Sequence, residues 1–110
     1  MRYVSTRGQA AAAGFADILL EGLAPDGGLY MPEAWPTLPA RGIEAGADYK
    51  AIGLDVLPAF VGDALPAGAL ERALDALISG FDHPAVTPLV QLEDGLFLLE
   101  LFHGPTAAFK

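Results

Sequence analysis

The sequence predicts a mixed α+β chain, and three observations carry that prediction. Apolar residues recur at helical spacing in three stretches, which begin near Phe15, Asp48 and Pro66. Short strand-like runs lie near both ends, at residues 2–5, 29–31, 86–92 and 96–102, with glycine, proline or aspartate close to where each one stops. The 110 residues are 53% hydrophobic, enough for one small core and little for an enzyme that must enclose a cofactor unaided.

From the start of the chain, Arg2-Tyr3-Val4-Ser5 forms a short strand, and Thr6-Arg7-Gly8 breaks it. On spacing alone Ser5, Thr6 and Arg7 read equally well as an ordinary polar turn or as part of a site. Phe15, Ile18, Leu19 and Leu23 then mark one apolar helix face that stops at Gly22 and Pro25; Gly14 stands where a serine, threonine or aspartate would cap better. Asp26-Gly27-Gly28 is a turn that demands positive φ and leads into the strand Leu29-Tyr30-Met31, ended by Pro32. It is no dinucleotide fingerprint, because G-x-G-x-x-G is absent and no helix follows. Residues 32–48 carry Pro32, Pro36, Pro39, Gly42 and Gly46 and read as an irregular surface connection that Trp35 pins to the body.

Two helices follow. Asp48 caps the first, whose apolar face is Tyr49, Ile52, Val56 and Phe60, and Pro58 kinks or divides it. The second follows Pro66, with Leu70, Leu74, Leu77 and Ile78 as its stripe and Gly80 as its end. These stripes are core rather than a cofactor box, and Glu71, Arg72, Asp75 and Lys50 read as solvated charges. His83, just past a helix end, is assigned to the terminal carbonyls ahead of any catalytic role. Residues 86–92 form a strand from about Pro88, and Glu93-Asp94-Gly95 turns it into a hairpin with a buried strand over Leu96–Phe102, apolar except for Glu100.

After that strand come His103, the Gly104-Pro105 turn, and Thr106 as the cap of a helix opening Ala107-Ala108-Phe109-Lys110. A lysine there is unusual. The positive end of a helix and apolar neighbours such as Phe109 both disfavour the ammonium form, and a neutral lysine is a nucleophile able to form a Schiff base. Gly104 to Lys110 also has the opening spacing of a phosphate-binding loop. Phe109 occupies the place of its second glycine, so backbone amides could not wrap a phosphate there.

Composition excludes several classes. Fourteen scattered acids against six bases give a net charge of -8, which argues for a soluble protein and against nucleic-acid or anionic-membrane binding. No cysteine is present, so there is neither a disulfide framework nor a cysteine metal site, and two histidines without carboxylates at ligand spacing predict no metal. No apolar run approaches the roughly 18 residues of a membrane span, and the first residues lack a signal-peptide core, so the expected location is the cytoplasm.

Three segments resemble the threonine synthase family. ELFHGPTAAFK, Glu100 to Lys110, looks like the segment that carries the lysine bound to pyridoxal phosphate; YVSTRG, Tyr3 to Gly8, and EGLAPDGGLYMPE, Glu21 to Glu33, look like the family's N-terminal signatures. The resemblance implies a threonine synthase N-terminal domain over residues 1–80, followed by residues 81–110 as the first hairpin of a type II, tryptophan-synthase-β-like catalytic core. It further implies pyridoxal 5'-phosphate on Lys110 and conversion of O-phospho-L-homoserine and water to L-threonine and phosphate. By the same resemblance Ser5, Thr6, Arg7, His103 and Thr106 lie near the substrate. The family's glycine-rich phosphate loop and the group facing the pyridine nitrogen are not among these residues. The 110-residue chain is therefore expected to be inactive alone, to hold no cofactor, to need the remainder of its catalytic domain, and to self-associate through its uncovered hairpin. The alternatives are a non-catalytic binding domain of shared ancestry and a threonine-synthase-like phospho-lyase of drifted specificity.

Overall fold

The computed structural model describes residues 1–38 and 46–107. Its first unit is a small antiparallel sheet in which β1 (Arg2–Ser5) lies between β2 (Ala13–Gly14) and β3 (Tyr30–Pro32). Tyr3 opposes Pro32 and Ser5 opposes Tyr30. Alternation along β1 sends Tyr3 and Ser5 inward, and both are buried. Pro32 is tolerated because β3 is an edge strand. The Tyr3 hydroxyl donates to the Phe60 carbonyl at 2.8 Å, which ties the sheet to the helices, and burial raises the phenol's pKa.

Helix α1 (Phe15–Glu21) starts at Gly14 after all. Glycine offers no capping side chain, and the Asp17 carboxylate reaches back to accept the Gly14 N–H at 3.4 Å. Gly22 ends the helix at φ +74°, donating its N–H to the Ile18 carbonyl. The apolar face expected of this helix is only partly covered: Phe15 and Ile18 are half-buried, but Leu19 and Leu23 are 62% and 58% exposed. With Leu29, Tyr30 and Met31 this face lines an open groove of about 460 Å³.

Helix α2 (Tyr49–Val56) begins as expected at Asp48, whose carboxylate accepts the Ala51 N–H at 2.8 Å, and Pro58 separates it from α3 (Pro58–Val61). Helix α4 (Ala69–Ser79) packs against α2 through Leu74, which is buried. The approach is close because Gly53 faces that leucine: a Cβ at Gly53 would stand 3.0 Å from Leu74 Cδ2. Burying a leucine in this way contributes about 1.5–3 kcal/mol. Lys50 is not the solvated charge expected of it. It bridges the two helices, 2.6 Å from Asp75 and 3.3 Å from Glu71, and the Asp75 hydrogen bond raises its pKa. Helical spacing on a single element could not show this, because the partners belong to another helix. Trp35 meets Phe60 edge-on at 6.4 Å, although 69% of it stays exposed.

The last unit is a two-stranded hairpin, β4 (Leu89–Glu93) and β5 (Leu96–Leu99), with Gly95 at φ +76° in its turn and a register irregularity between Gln91 and Glu93. Here two expectations change. Strand β5 stops at Leu99, and every residue from Leu89 to Leu99 is exposed, so the run expected to be buried is apolar and uncovered in this chain. Val86 is not in a strand. It sits at φ 59°, fully buried, in a tight turn closed by the Thr87 N–H and the Ala85 carbonyl. That is a γ-turn of the positive-φ kind, uncommon for a β-branched residue and sustained by the packing around it.

Candidate functional site

The sequence-predicted residues fall into two clusters. The first is built on Asp26. Its half-buried carboxylate accepts four donors: the Ser5 hydroxyl at 2.7 Å, the Gly28 N–H at 2.9 Å, and the Gln9 and Ala10 N–H groups at 3.0 Å each. The Ser5 hydrogen bond is the largest cause of a pKa held down at about 2; desolvation opposes it and the three backbone donors reinforce it. Ser5 also accepts the Arg7 N–H at 3.1 Å, Arg7 Nη1 donates to the Asp26 carbonyl at 2.8 Å, and Thr6 pairs with Leu29 through its N–H and its hydroxyl oxygen. The polar stretch after β1 is thus a rigid loop laced to the Asp26 turn. Ser5 is buried and its hydroxyl is committed, whereas Thr6 and Arg7 are exposed.

The paired glycines serve this lacing, for two different reasons. Gly27 has φ +78°, as the turn signal required. Gly28 does not have positive φ; it is glycine because a Cβ would come within 2.1 Å of Ser5 Oγ and 3.1 Å of the Arg7 nitrogen. The amides that a phosphate-binding loop would offer to a phosphate are taken here by protein: the Gly28 N–H by the Asp26 carboxylate and the Gly27 N–H by the Ala24 carbonyl.

The second cluster surrounds His103. Its Nε2 lies 2.6 Å from Glu100 Oε2, and the two side chains are only 19% and 21% exposed. Its ring packs on Phe102 and His83 at centroid distances of 4.7 and 5.0 Å. Its carbonyl accepts the Asp82 N–H at 2.9 Å, while the Glu100 N–H donates to the Pro88 carbonyl at 3.0 Å. His83 does not serve the end of α4, where the Gly80 and Phe81 N–H groups donate to the Leu77 and Ile78 carbonyls and the Ser79 hydroxyl to that of Ala76; its Nδ1 accepts the Ala85 N–H at 3.1 Å.

The helix expected from Thr106 does not begin there. Ala107 has φ 51° and closes a turn by donating to the Gly104 carbonyl at 2.9 Å. Gly104 is buried, and a Cβ on it would stand 3.1 Å from the Phe81 ring. Lys110, with Ala108 and Phe109, lies outside the described residues.

Sequence reasoning missed two residues. Asp26 was legible only as a turn former, because its partners at positions 5, 9 and 10 are distant in sequence. Glu100 did leave a signal: one acid in an apolar run needs a partner if it is shielded from water. Among the described residues no group of three or more histidine, aspartate or glutamate side chains is placed to hold a metal ion, and no helix is long and apolar enough to cross a membrane.

Comparison with known proteins agrees with this geometry. Residues 2–77 match the family model described as threonine synthase N terminus. A threonine synthase of Pseudomonas aeruginosa is 46% identical over 112 residues, which cover 100% of this chain and 24% of that protein. The human protein named Threonine synthase-like 2 is 42% identical over 114 residues, covering 100% of this chain and 23% of its own length. Among solved structures, a PLP-bound threonine synthase from Brucella melitensis superposes with a TM-score of 0.87 at 50% identity, over 99% of this chain and 24% of that one. The Escherichia coli threonine synthase gives 0.73 at 28% identity, over 96% and 24%. The chain therefore spans about a quarter of the length of the relatives it matches. With its mixed helices and strands laid out as in the N-terminal region of those enzymes, this chain belongs to the threonine synthase family.

Proposed function

We propose that this chain is the N-terminal quarter of a pyridoxal-phosphate-dependent threonine synthase, a lyase of threonine biosynthesis that converts O-phospho-L-homoserine and water to L-threonine and phosphate. The observation that carries the reading is the segment Glu100–Lys110, standing at the end of a chain that aligns over 100% of its length with a threonine synthase at 46% identity. Residues 1–80 are read as the N-terminal domain and 81–110 as the first hairpin of the catalytic core, a division supported by the family match to residues 2–77. The site of action is the cytoplasm.

When bound, pyridoxal 5'-phosphate supplies the electron sink. The Gly28 N–H is already taken by the Asp26 carboxylate and the Gly27 N–H by the Ala24 carbonyl, so the phosphate is assigned to residues other than the paired glycines. The part of the cofactor site that fits this chain is the anchor, Lys110, reached through the Gly104–Ala107 turn. Lys110 Nζ would hold the cofactor and would serve as the proton-transferring amine. Of the residues placed near substrate, Ser5 shapes the loop because its hydroxyl is spent on Asp26. Thr6 and Arg7 lie on the loop's exposed side, and Arg7, its Nη1 held by Asp26, offers a fixed cation to the substrate's phosphate. Thr106 and His103 stand at the turn that leads to the lysine.

Borohydride reduction of the full-length protein tests this. The cofactor should be fixed on Lys110, and Lys110→Ala should abolish threonine formation while leaving the fold intact, whereas the 110-residue chain alone should neither turn over substrate nor hold the cofactor. A label on another lysine, or normal turnover by Lys110→Ala, refutes the assignment. A second reading, a related phospho-lyase of drifted specificity, is favoured by the relatives named Threonine synthase-like 2 at up to 42% identity; product analysis with O-phosphohomoserine separates the two.

A further inference from the structure

We propose that Glu100 and His103 are a positioning pair that sets where the segment carrying Lys110 stands. The inference rests on the reading of Lys110 as the cofactor-bearing lysine and adds to it a role for an acid that the reading leaves unused.

Glu100 is the one charged residue of the run Leu96–Phe102, and about four-fifths of its side chain is shielded from water. A shielded carboxylate is costly unless paired, and its partner is His103, at 2.6 Å. The two are three positions apart outside any helix, so the bond fixes the bend through Leu101 and Phe102. Both ends of that bend are also tied by backbone to one neighbouring segment, Glu100 to Pro88 and His103 to Asp82. The imidazole rests against His83, whose Nδ1 accepts the Ala85 N–H and whose carbonyl accepts the N–H of the buried, positive-φ Val86. Gly104 follows directly, pressed on Phe81, and opens the turn that closes at Ala107. Among the described residues, the Glu100–His103 bond is thus the side-chain tie that spans the bend immediately before this turn. With Nε2 committed to the Glu100 carboxylate, His103 is assigned a positioning role.

The test uses the full-length protein with His103→Leu, His103→Gln, Glu100→Leu and Glu100→Gln, reading kcat, KM, the fraction of cofactor fixed on Lys110 by borohydride, and the melting temperature. Leucine at either position should lower kcat by about ten- to a hundredfold with KM changed far less, and should reduce the fraction fixed on Lys110, because a displaced nucleophile loses orientation. His103→Gln retains a donor near the Nε2 position and should recover most of that loss. If the leucine variants do not fold, Glu100→Gln decides: it keeps the volume and weakens the bond, and kcat should fall by about threefold or more. The inference is overturned if the folded variants keep wild-type kcat and labelling, if His103→Gln is no better than His103→Leu, or if Glu100→Gln is unchanged. A label on a different lysine in the unmodified protein overturns the reading of Lys110 and this inference with it. Labelling on Lys110 with indifferent variants overturns this inference alone.

Discussion

Ser5 and Asp26, on segments 21 residues apart in sequence, share a 2.7 Å hydrogen bond that joins the end of β1 to the glycine turn before β3. Around it the loop at Thr6–Ala10 acquires its shape, since the same carboxylate gathers the Gln9 and Ala10 N–H groups.

The first prediction concerns pH. Asp26 has a folded-state pKa depressed to about 2 from 3.8, so the unfolded chain binds the proton more readily than the folded one. The stabilisation is present above the unfolded value and is lost as pH falls from about 4 toward 2. Asp26→Asn should therefore lower the melting temperature at neutral pH and flatten its dependence on pH across that window. Parallel melting curves for the two proteins between pH 2 and 5 would refute the assignment.

A second prediction separates the two glycines. Gly28→Ala should destabilise by about 1–3 kcal/mol, because the new Cβ collides with Ser5 Oγ and the Arg7 backbone, and valine should cost more. Gly27→Val strains a positive φ and meets Arg7 Nη1, which the Asp26 carbonyl holds, at 2.8 Å. Gln9→Ala, which leaves every backbone bond in place, should stay within about 0.5 kcal/mol of wild type. Thermal melting of the four variants gives the order.

The third prediction follows from the uncovered hairpin. Leu89, Leu92, Phe97 and Leu99 are each more than half exposed, and a lone two-stranded ribbon is marginal in water. The 110-residue chain should therefore associate and bind hydrophobic dyes, and replacing Phe97 and Leu99 by lysine should reduce both. Sedimentation showing a clean monomer without dye binding would count against it.

Local chemistry made much of this protein legible in its sequence. Asp48 caps α2, Pro58 divides the helices, Gly22 and Gly80 close theirs, and Asp94-Gly95 turns the hairpin, because each effect acts within a few residues of its cause. The resemblance at Tyr3–Gly8, Glu21–Glu33 and Glu100–Lys110 likewise identified the family, because short signatures retain residue order without needing coordinates. What only the tertiary structure decided is which side chains from distant segments share one environment. Asp26 became the hub of a loop, Lys50 a bridge to Asp75, Gly28 a point of contact rather than of positive φ, and Glu100 the partner of His103. The hairpin shows the same division: its sequence reads as a strand buried on both faces, but burial depends on what packs against it, and nothing in the described chain covers β4 or β5. Periodicity reports what an element would bury, and only the assembled chain determines what covers it.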